Sequence, residues 1–396
     1  MNLFSTPWDI LSPLFVWGLG LPVARWLGSQ YGQTQKRSWF LYTWHTIWCI
    51  VYLFFTLSYG GDSIYYFSIE NQSPPEFIYG TSFIEYLTFF LASPLQLSYL
   101  SCFLVYNIIG MVGFIGLDAI LQQLTYAQSA LLKRLAALMI FLPSVSFWSS
   151  AIGKDSFAFS AAVLALWASL NLSRRIPLMI LAILAMFLVR PHVATFMVLA
   201  LTVDSIFNRQ LPLLPRVGLA LMLLVATRLL FPLVSEYVSI GDIKDFEDAS
   251  AYIELKQSYN QHGGGSIDIS TMPLPSQLLS YILRPAFFDV NSLFSFAAAI
   301  DNFVLLLIFV FGLTGFLRGR RLPVKSSPTF MYVYITISWL VFATTTANLG
   351  ISIRQKWMFL PMILYVSFAL ACRAPKSSMY LNVGPHEAET RSFKSI

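Results

Sequence analysis

Charge is what this sequence is short of. Of 396 residues only 11% are Asp, Glu, Lys or Arg, while 57% are hydrophobic. A soluble domain carries roughly 25% charged residues, because a water-facing surface has to be solvated. So small a share excludes a chain whose surface mostly meets water. Cysteine is scarce as well. Cys49, Cys102 and Cys372 each stand inside an apolar stretch, which excludes a disulfide framework and a zinc site. The four histidines, His45, His192, His262 and His386, have no metal-ligand spacing, and neither an HExxH helix nor a GxSxG nucleophile elbow occurs. The hydroxyls near Lys154 have no evident histidine partner. No continuous basic stripe accompanies the formal charge of +6, which argues against nucleic acid as a partner. The first residues show no basic n-region and no small-residue cleavage pattern, so no removable signal peptide is expected.

What the chain has instead is a series of apolar runs. Crossing about 30 Å of hydrocarbon takes about 20 such residues. The pattern predicts spans at 8–27, 39–58, 98–120, 135–152, 156–173, 176–190, 193–208, 217–235, 301–317, 328–347 and 356–372. The fold class is therefore all-α, a polytopic transmembrane bundle of about eleven helices. Basic clusters at Lys36-Arg37, Lys133-Arg134, Arg174-Arg175, Arg209 with Arg216, Arg318 to Lys325, and Arg373 with Lys376 are separated by even numbers of crossings. All fall on one side, which the positive-inside rule makes the cytoplasm. The N-terminus is then outside and the C-terminus cytoplasmic. Residues 83–97 are apolar but short, broken by Glu85 and Pro94, and suit an interfacial or re-entrant helix. The transmembrane domain covers 1–373, with outer loops at 59–97 and 236–300. The second, acidic loop is long enough for a small soluble subdomain. Its Gly263-Gly264-Gly265 run suits a hinge better than a phosphate cradle, since no Lys or helix start follows. A polar tail, 374–396, is expected to be cytoplasmic and largely disordered.

Several polar groups stand at the outer helix ends. From Arg175 to Arg190 a helix rises about 22 Å, short of the hydrocarbon thickness, so Arg190 is held below the outer surface. It either snorkels or serves as an anion-binding cation at the floor of a cavity; Pro191 fixes the turn there and His192 adds a polar group. Trp148 with Lys154-Asp155 reads as interface anchoring plus a local ion pair, or as part of a site. Asp62 follows Gly60-Gly61 and is a candidate general base or metal ligand, or simply a solvated carboxylate. Tyr65, Tyr66 and Phe67 beside it offer stacking faces for sugar rings, or anchors. Arg354 and Lys356 are basic on the side that disfavours such charge, so something should offset them. Arg284 is a further outward Arg. Converging in space, Lys154, Arg190, Arg284 and Arg354 would suit a pyrophosphate, whose oxygens match the planar guanidinium fork.

In the segments GGDSIYY (60–66), LPSVSFWSSAIGKDS (142–156), LVRPH (188–192) and NLGISIRQKWMFLP (348–361), the chain resembles the polytopic sugar-transfer proteins of bacterial surface-polysaccharide clusters. These are the Wzy-type and EpsG-like polymerases and, more loosely, the GT-C glycosyltransferases. The resemblance implies a GT-C-like helical bundle in a bacterial inner (plasma) membrane. It also implies transfer of sugar or oligosaccharide from a polyprenyl diphosphate (undecaprenyl diphosphate) donor on the periplasmic face. Asp62 matches the acidic residue of the first outer loop that acts as base or metal ligand in GT-C enzymes. Arg190 and Arg354 match, in character, the outward-loop arginines of Wzy-type polymerases. Lys154, Asp155, His192, Arg284, Tyr66 and Trp148 complete the expected substrate-binding set. A divalent cation is the one cofactor left open. Partners are the polyprenyl-diphosphate-linked saccharide, membrane lipid and other polysaccharide-assembly proteins. Two other classes stay open: a transporter or flippase of a lipid-linked saccharide, and a non-catalytic assembly subunit.

Overall fold

A backbone inside lipid must satisfy its own N–H and C=O groups, and for runs this apolar the helix is the structure that does so. The computed structural model describes residues 6–69, 73–207, 213–238, 246–259, 265–322 and 326–372. Glu70, Arg209, Asp242, Asp245, Gly263, Gly264, Lys325, Arg373, Lys376 and the tail 374–396 lie outside the described residues. In chain order the helices are α1 (Pro7–Gln30), α2 (Gln35–Tyr59), α3 (Asp62–Ser68), α4 (Thr81–Ala92), α5 (Tyr99–Thr125) and α6 (Ala130–Phe141). There follow α7 (Pro143–Ser149), α8 (Lys154–Ser169), α9 (Leu172–Val189), α10 (Pro191–Phe207), α11 (Leu213–Val238) and α12 (Phe246–Tyr259). The last are α13 (Leu274–Leu283), α14 (Leu293–Leu317), α15 (Pro328–Thr345), α16 (Leu349–Gln355) and α17 (Leu360–Ala371). Among the described residues the only β pairing is an isolated bridge between Ser266 and Asn348.

The chain is an all-helical, multi-pass membrane protein. The expected spans fall on helices, the 135–152 run on two (α6 and α7), and among the described residues eight helices are long and apolar enough to cross a bilayer. The spans that fall on α8, α10 and α17 are shorter helices. The 135–152 run is broken: Leu142, ahead of Pro143, adopts an extended conformation (ψ 142°), as a residue before proline prefers, and α7 begins at Pro143. The 83–97 segment contains α4, which packs on α5 through buried Ile84 and a 3.0 Å hydrogen bond between the Thr88 and Tyr106 hydroxyls.

At the centre stands α5, enclosed by α1, α2 and α8. Small residues permit the approach: a Cβ on Gly110 would stand 1.8 Å from the Ser149 carbonyl oxygen, and one on Gly113 2.8 Å from Ser160 Cα. Such glycines bring helix backbones together where lipid supplies no hydrophobic drive. The exposed faces carry Leu14, Phe15, Phe54, Leu184 and Leu313, as a lipid-facing surface requires.

Polar groups inside the bundle are tied in clusters. At one end of α5, buried Asp118 accepts hydrogen bonds from Arg37 Nη2 (2.6 Å) and Nε (3.2 Å), Gln33 Nε2 (2.7 Å) and Gln122 Nε2 (2.6 Å). Further along, His45 lies 2.5 Å from Asn107 Oδ1 through Nδ1 and 2.9 Å from Ser149 Oγ through Nε2. This corrects the expectation that the hydroxyls near Lys154 lack a histidine partner. All three side chains are enclosed, so the trio fastens α2, α5 and α7 together; it has the members of a nucleophile–base pair but no access for a substrate.

Candidate functional site

At the end of α2 opposite Arg37, four chain-distant segments meet. Each is placed by a local break. α2 stops at Gly60, whose φ of +82° is open to glycine at no steric penalty; Asp62 then begins α3. Gly153, at φ +154°, turns the chain out of α7 and makes Lys154 and Asp155 the first residues of α8. Arg190 is the non-helical residue (φ −143°, ψ 72°) between α9 and Pro191, the first residue of α10. Arg354 lies near the end of α16, whose start is capped by the Asn348 side chain accepting from the Gly350 (2.9 Å) and Ile351 (3.2 Å) amides.

Asp155 is shared by two guanidinium groups. Its Oδ1 accepts from Arg190 Nη2 at 3.4 Å, and its Oδ2 stands 3.2 Å from Arg354 Nε. Arg354 Nη1 also lies 3.8 Å from Asp62 Oδ2. Asp62 is 71% exposed against 17% for Asp155, so Asp155 is the structural partner and Asp62 the solvated one. The guanidinium of Arg354 sits 6.0 Å above the Trp148 ring, a cation–π distance. The Asp155 carboxylate beside it pushes the Arg354 pKa up, so the group is a permanent cation. Lys154 Nζ donates to Thr81 Oγ1 at 2.6 Å and to the Tyr237 hydroxyl at 3.3 Å. Burial, with Arg190 nearby, pushes the Lys154 ammonium down to about 8. Tyr66 is buried within electrostatic reach of Asp62, Arg190 and Arg354. Burial, then the Asp62 charge, raises its phenol, which stays protonated.

Among the described residues three cations thus face two carboxylates, leaving one positive charge in surplus. Hydrogen-bonding capacity is in surplus too. A guanidinium carries five N–H donors, yet Arg190 Nε and Arg354 Nε are buried with no hydrogen-bond partner, the latter in spite of its close approach to Asp155. Unspent donors on cations that already have a carboxylate partner are a chemistry that suits a polyvalent oxyanion.

Of the sequence candidates, the structure brings Asp62, Lys154, Asp155, Arg190, Arg354 and Trp148 together, with Tyr66 alongside. His192 is one layer away, its ring stacked 6.1 Å from Tyr237 and its Nδ1 buried without a partner. Arg284 is occupied elsewhere: it makes a bidentate pair with Asp289, at 3.0 and 2.5 Å, in the 284–292 connection ahead of α14. Lys356 does not face the site; it is buried and bonded to Asn302 Oδ1. Thr81 and Tyr237, which hold Lys154, were not among the sequence candidates, and nothing in their local sequence marks them. A divalent cation finds no ready ligand set: among the described residues no three His, Cys, Asp or Glu side chains cluster, and Asp62 and Asp155 both face Arg354.

Between α11 and α14, the helices α12 and α13 pack on α15. Gln257 Nε2 donates to the Thr344 carbonyl (2.8 Å), Trp339 Nε1 donates to the Leu278 carbonyl (2.9 Å), and Tyr281 stacks on Phe342 and Phe359. No family model matches the chain, and no curated protein or solved structure is significantly similar to it.

Proposed function

We propose that the protein is a membrane glycosyltransferase or polymerase that transfers a sugar or oligosaccharide from a polyprenyl diphosphate donor, with the Asp62–Arg354 end of the bundle on the periplasmic side of a bacterial inner membrane. The observation that carries this reading is the convergence of Lys154, Arg190 and Arg354 around Asp155, with unspent guanidinium donors. In transfer, the acceptor hydroxyl attacks the anomeric carbon as the bond from that carbon to the diphosphate oxygen breaks. The hydroxyl proton passes to Asp62, the one exposed carboxylate of the cluster. The charge that grows on the departing diphosphate is stabilised by Arg190, Arg354 and Lys154, already in place and partly desolvated. Diphosphate is a good leaving group, so orientation, charge stabilisation and one base suffice.

The test supplies lipid-linked repeat units to the purified protein in bilayers and follows glycan length. Elongation that is lost in Asp62→Ala and Arg190→Ala, with the helical fold retained, supports the reading. Undiminished elongation in both variants removes the assigned roles. Movement of the intact lipid-linked saccharide across the bilayer, with its glycan unchanged, marks a transporter instead.

A further inference from the structure

Asp301 and Asn302 are consecutive residues of α14, each at most 3% exposed, and the site as described uses neither. They reach in two directions. Asp301 Oδ2 accepts from the Ser144 amide at 3.0 Å, fixing the start of α7, which ends at Trp148 and Ser149 and leads into Lys154 and Asp155. Asn302 Oδ1 accepts from Lys356 Nζ, two residues past Arg354. Lys356 is 2% exposed; its remaining neighbours are the Ile282 carbonyl oxygen at 3.5 Å and the charge of Asp301. The Asn302 amide donates to the Pro285 carbonyl at 2.9 Å, which ties in the connection that holds Arg284 and Asp289.

A buried lysine and a buried aspartate in a membrane bundle are expensive and stay only where something requires them. Here one turn of α14 grips both arms of the anion cluster, α7 with Asp155 beyond it and α16 with Arg354. We propose that Asp301, Asn302 and Lys356 form an internal brace that sets the spacing of Arg354 from Asp155 and Trp148, making them positioning residues for the oxyanion site; the proposal rests on that site's binding a diphosphate. The two limbs are separable. Asn302→Leu removes the acceptor of Lys356 and frees the Arg354 arm, whereas Asn302→Asp keeps that acceptor, now as a carboxylate paired with the ammonium, and replaces the bond to Pro285 by a contact between two oxygens. Asp301→Leu releases the Ser144 amide and with it the α7 arm; it also removes the charge that faces Lys356, but leaves the Asn302 acceptor of the Arg354 arm in place.

The experiment is hydrogen–deuterium exchange on the full chain in lipid nanodiscs, paired with inorganic pyrophosphate titrations. Asn302→Leu is expected to speed exchange over 349–358 and 284–289 and spare the other helices. Asn302→Asp is expected to do so over 284–289 only, and Asp301→Leu over 143–149. Asn302→Leu should weaken pyrophosphate binding about tenfold in the wild-type background and by less than about twofold when Arg354 is already Ala, since coupled residues share one loss. Unchanged exchange over 349–358 in Asn302→Leu overturns the brace. So does an equal rise in every helix, or the same weakening with and without Arg354. A wild-type protein that binds no pyrophosphate sinks the diphosphate reading instead, and the exchange pattern still decides whether the brace exists.

Discussion

Arg354 Nε stands 3.2 Å from Asp155 Oδ2, yet the angle is wrong for a hydrogen bond and the Nε proton stays unshared. Opposite charges have met while donors remain unspent. A pair kept for stability alone would orient its fork, because an ion pair gains most when its hydrogen bonds also form.

The shared carboxylate is the first target. Asp155→Asn leaves Arg190 and Arg354 side by side without their counter-charge. Stability should fall by about 1–3 kcal/mol, the usual range for a lost charge-assisted bond at a desolvated site. Added pyrophosphate should raise the melting temperature more in this variant than in wild type, since the ligand replaces the missing anion. Thermal melts with and without pyrophosphate check this, and an equal ligand shift in both proteins contradicts it.

Arg354→Lys keeps the charge and loses the planar fork. If the fork grips two phosphate oxygens, the substitution should weaken pyrophosphate binding about tenfold while leaving binding of a single phosphate within about twofold. Comparing the two titrations separates shape from charge.

Lys154 supplies the pH dependence. Its folded pKa, about 8, lies below the ordinary lysine value of 10.5. The ammonium is therefore charged below about pH 8 and neutral above it, and pyrophosphate binding should decline as pH rises from 7 to 9. Stability moves the other way. Between about 8 and 10.5 the unfolded chain binds the proton more than the folded one, so this group's contribution to stability increases with pH over that window. Lys154→Met should flatten both trends, as measured by titrations and melts across pH 6.5–10.

His45, Asn107 and Ser149 test the opposite case, a constellation that looks chemical and is enclosed. Ser149→Ala should leave sugar transfer within about twofold. His45→Leu, which strands the Asn107 side-chain carbonyl while the Ser149 hydroxyl keeps its bond to the Val145 carbonyl, should destabilise by about 1–3 kcal/mol. Activity abolished in a stable Ser149→Ala protein would overturn this assignment.

Much of the fold was legible because apolarity over 18 or more residues has one structural solution in lipid. The helix ends were legible where Pro or Gly intervened at Gly153 and Pro191, whereas the break at Pro143 falls inside the expected 135–152 span. Individual site residues also stood out, since Asp62, Lys154, Arg190 and Arg354 are charges where apolar runs stop. Their partnerships did not: Asp155 and Arg354 come from opposite halves of the chain, and nothing local says they touch. Asp118, Asp301, Asn107 and His45 were missed for a related reason. A lone polar residue inside an apolar run has no visible partner until helix packing supplies one. Arg284 shows the converse, an outward Arg that looks available and is held by Asp289 five residues on.

The most direct measurement is a double-mutant cycle on pyrophosphate affinity, by calorimetry, with wild type, Arg190→Ala, Arg354→Ala and the double variant in the same detergent and salt. One shared oxyanion site is expected to give binding that each single change weakens about tenfold or more, with the double variant losing less than the product of the two. Equal affinity in all four proteins, or no binding by the wild type, would contradict it.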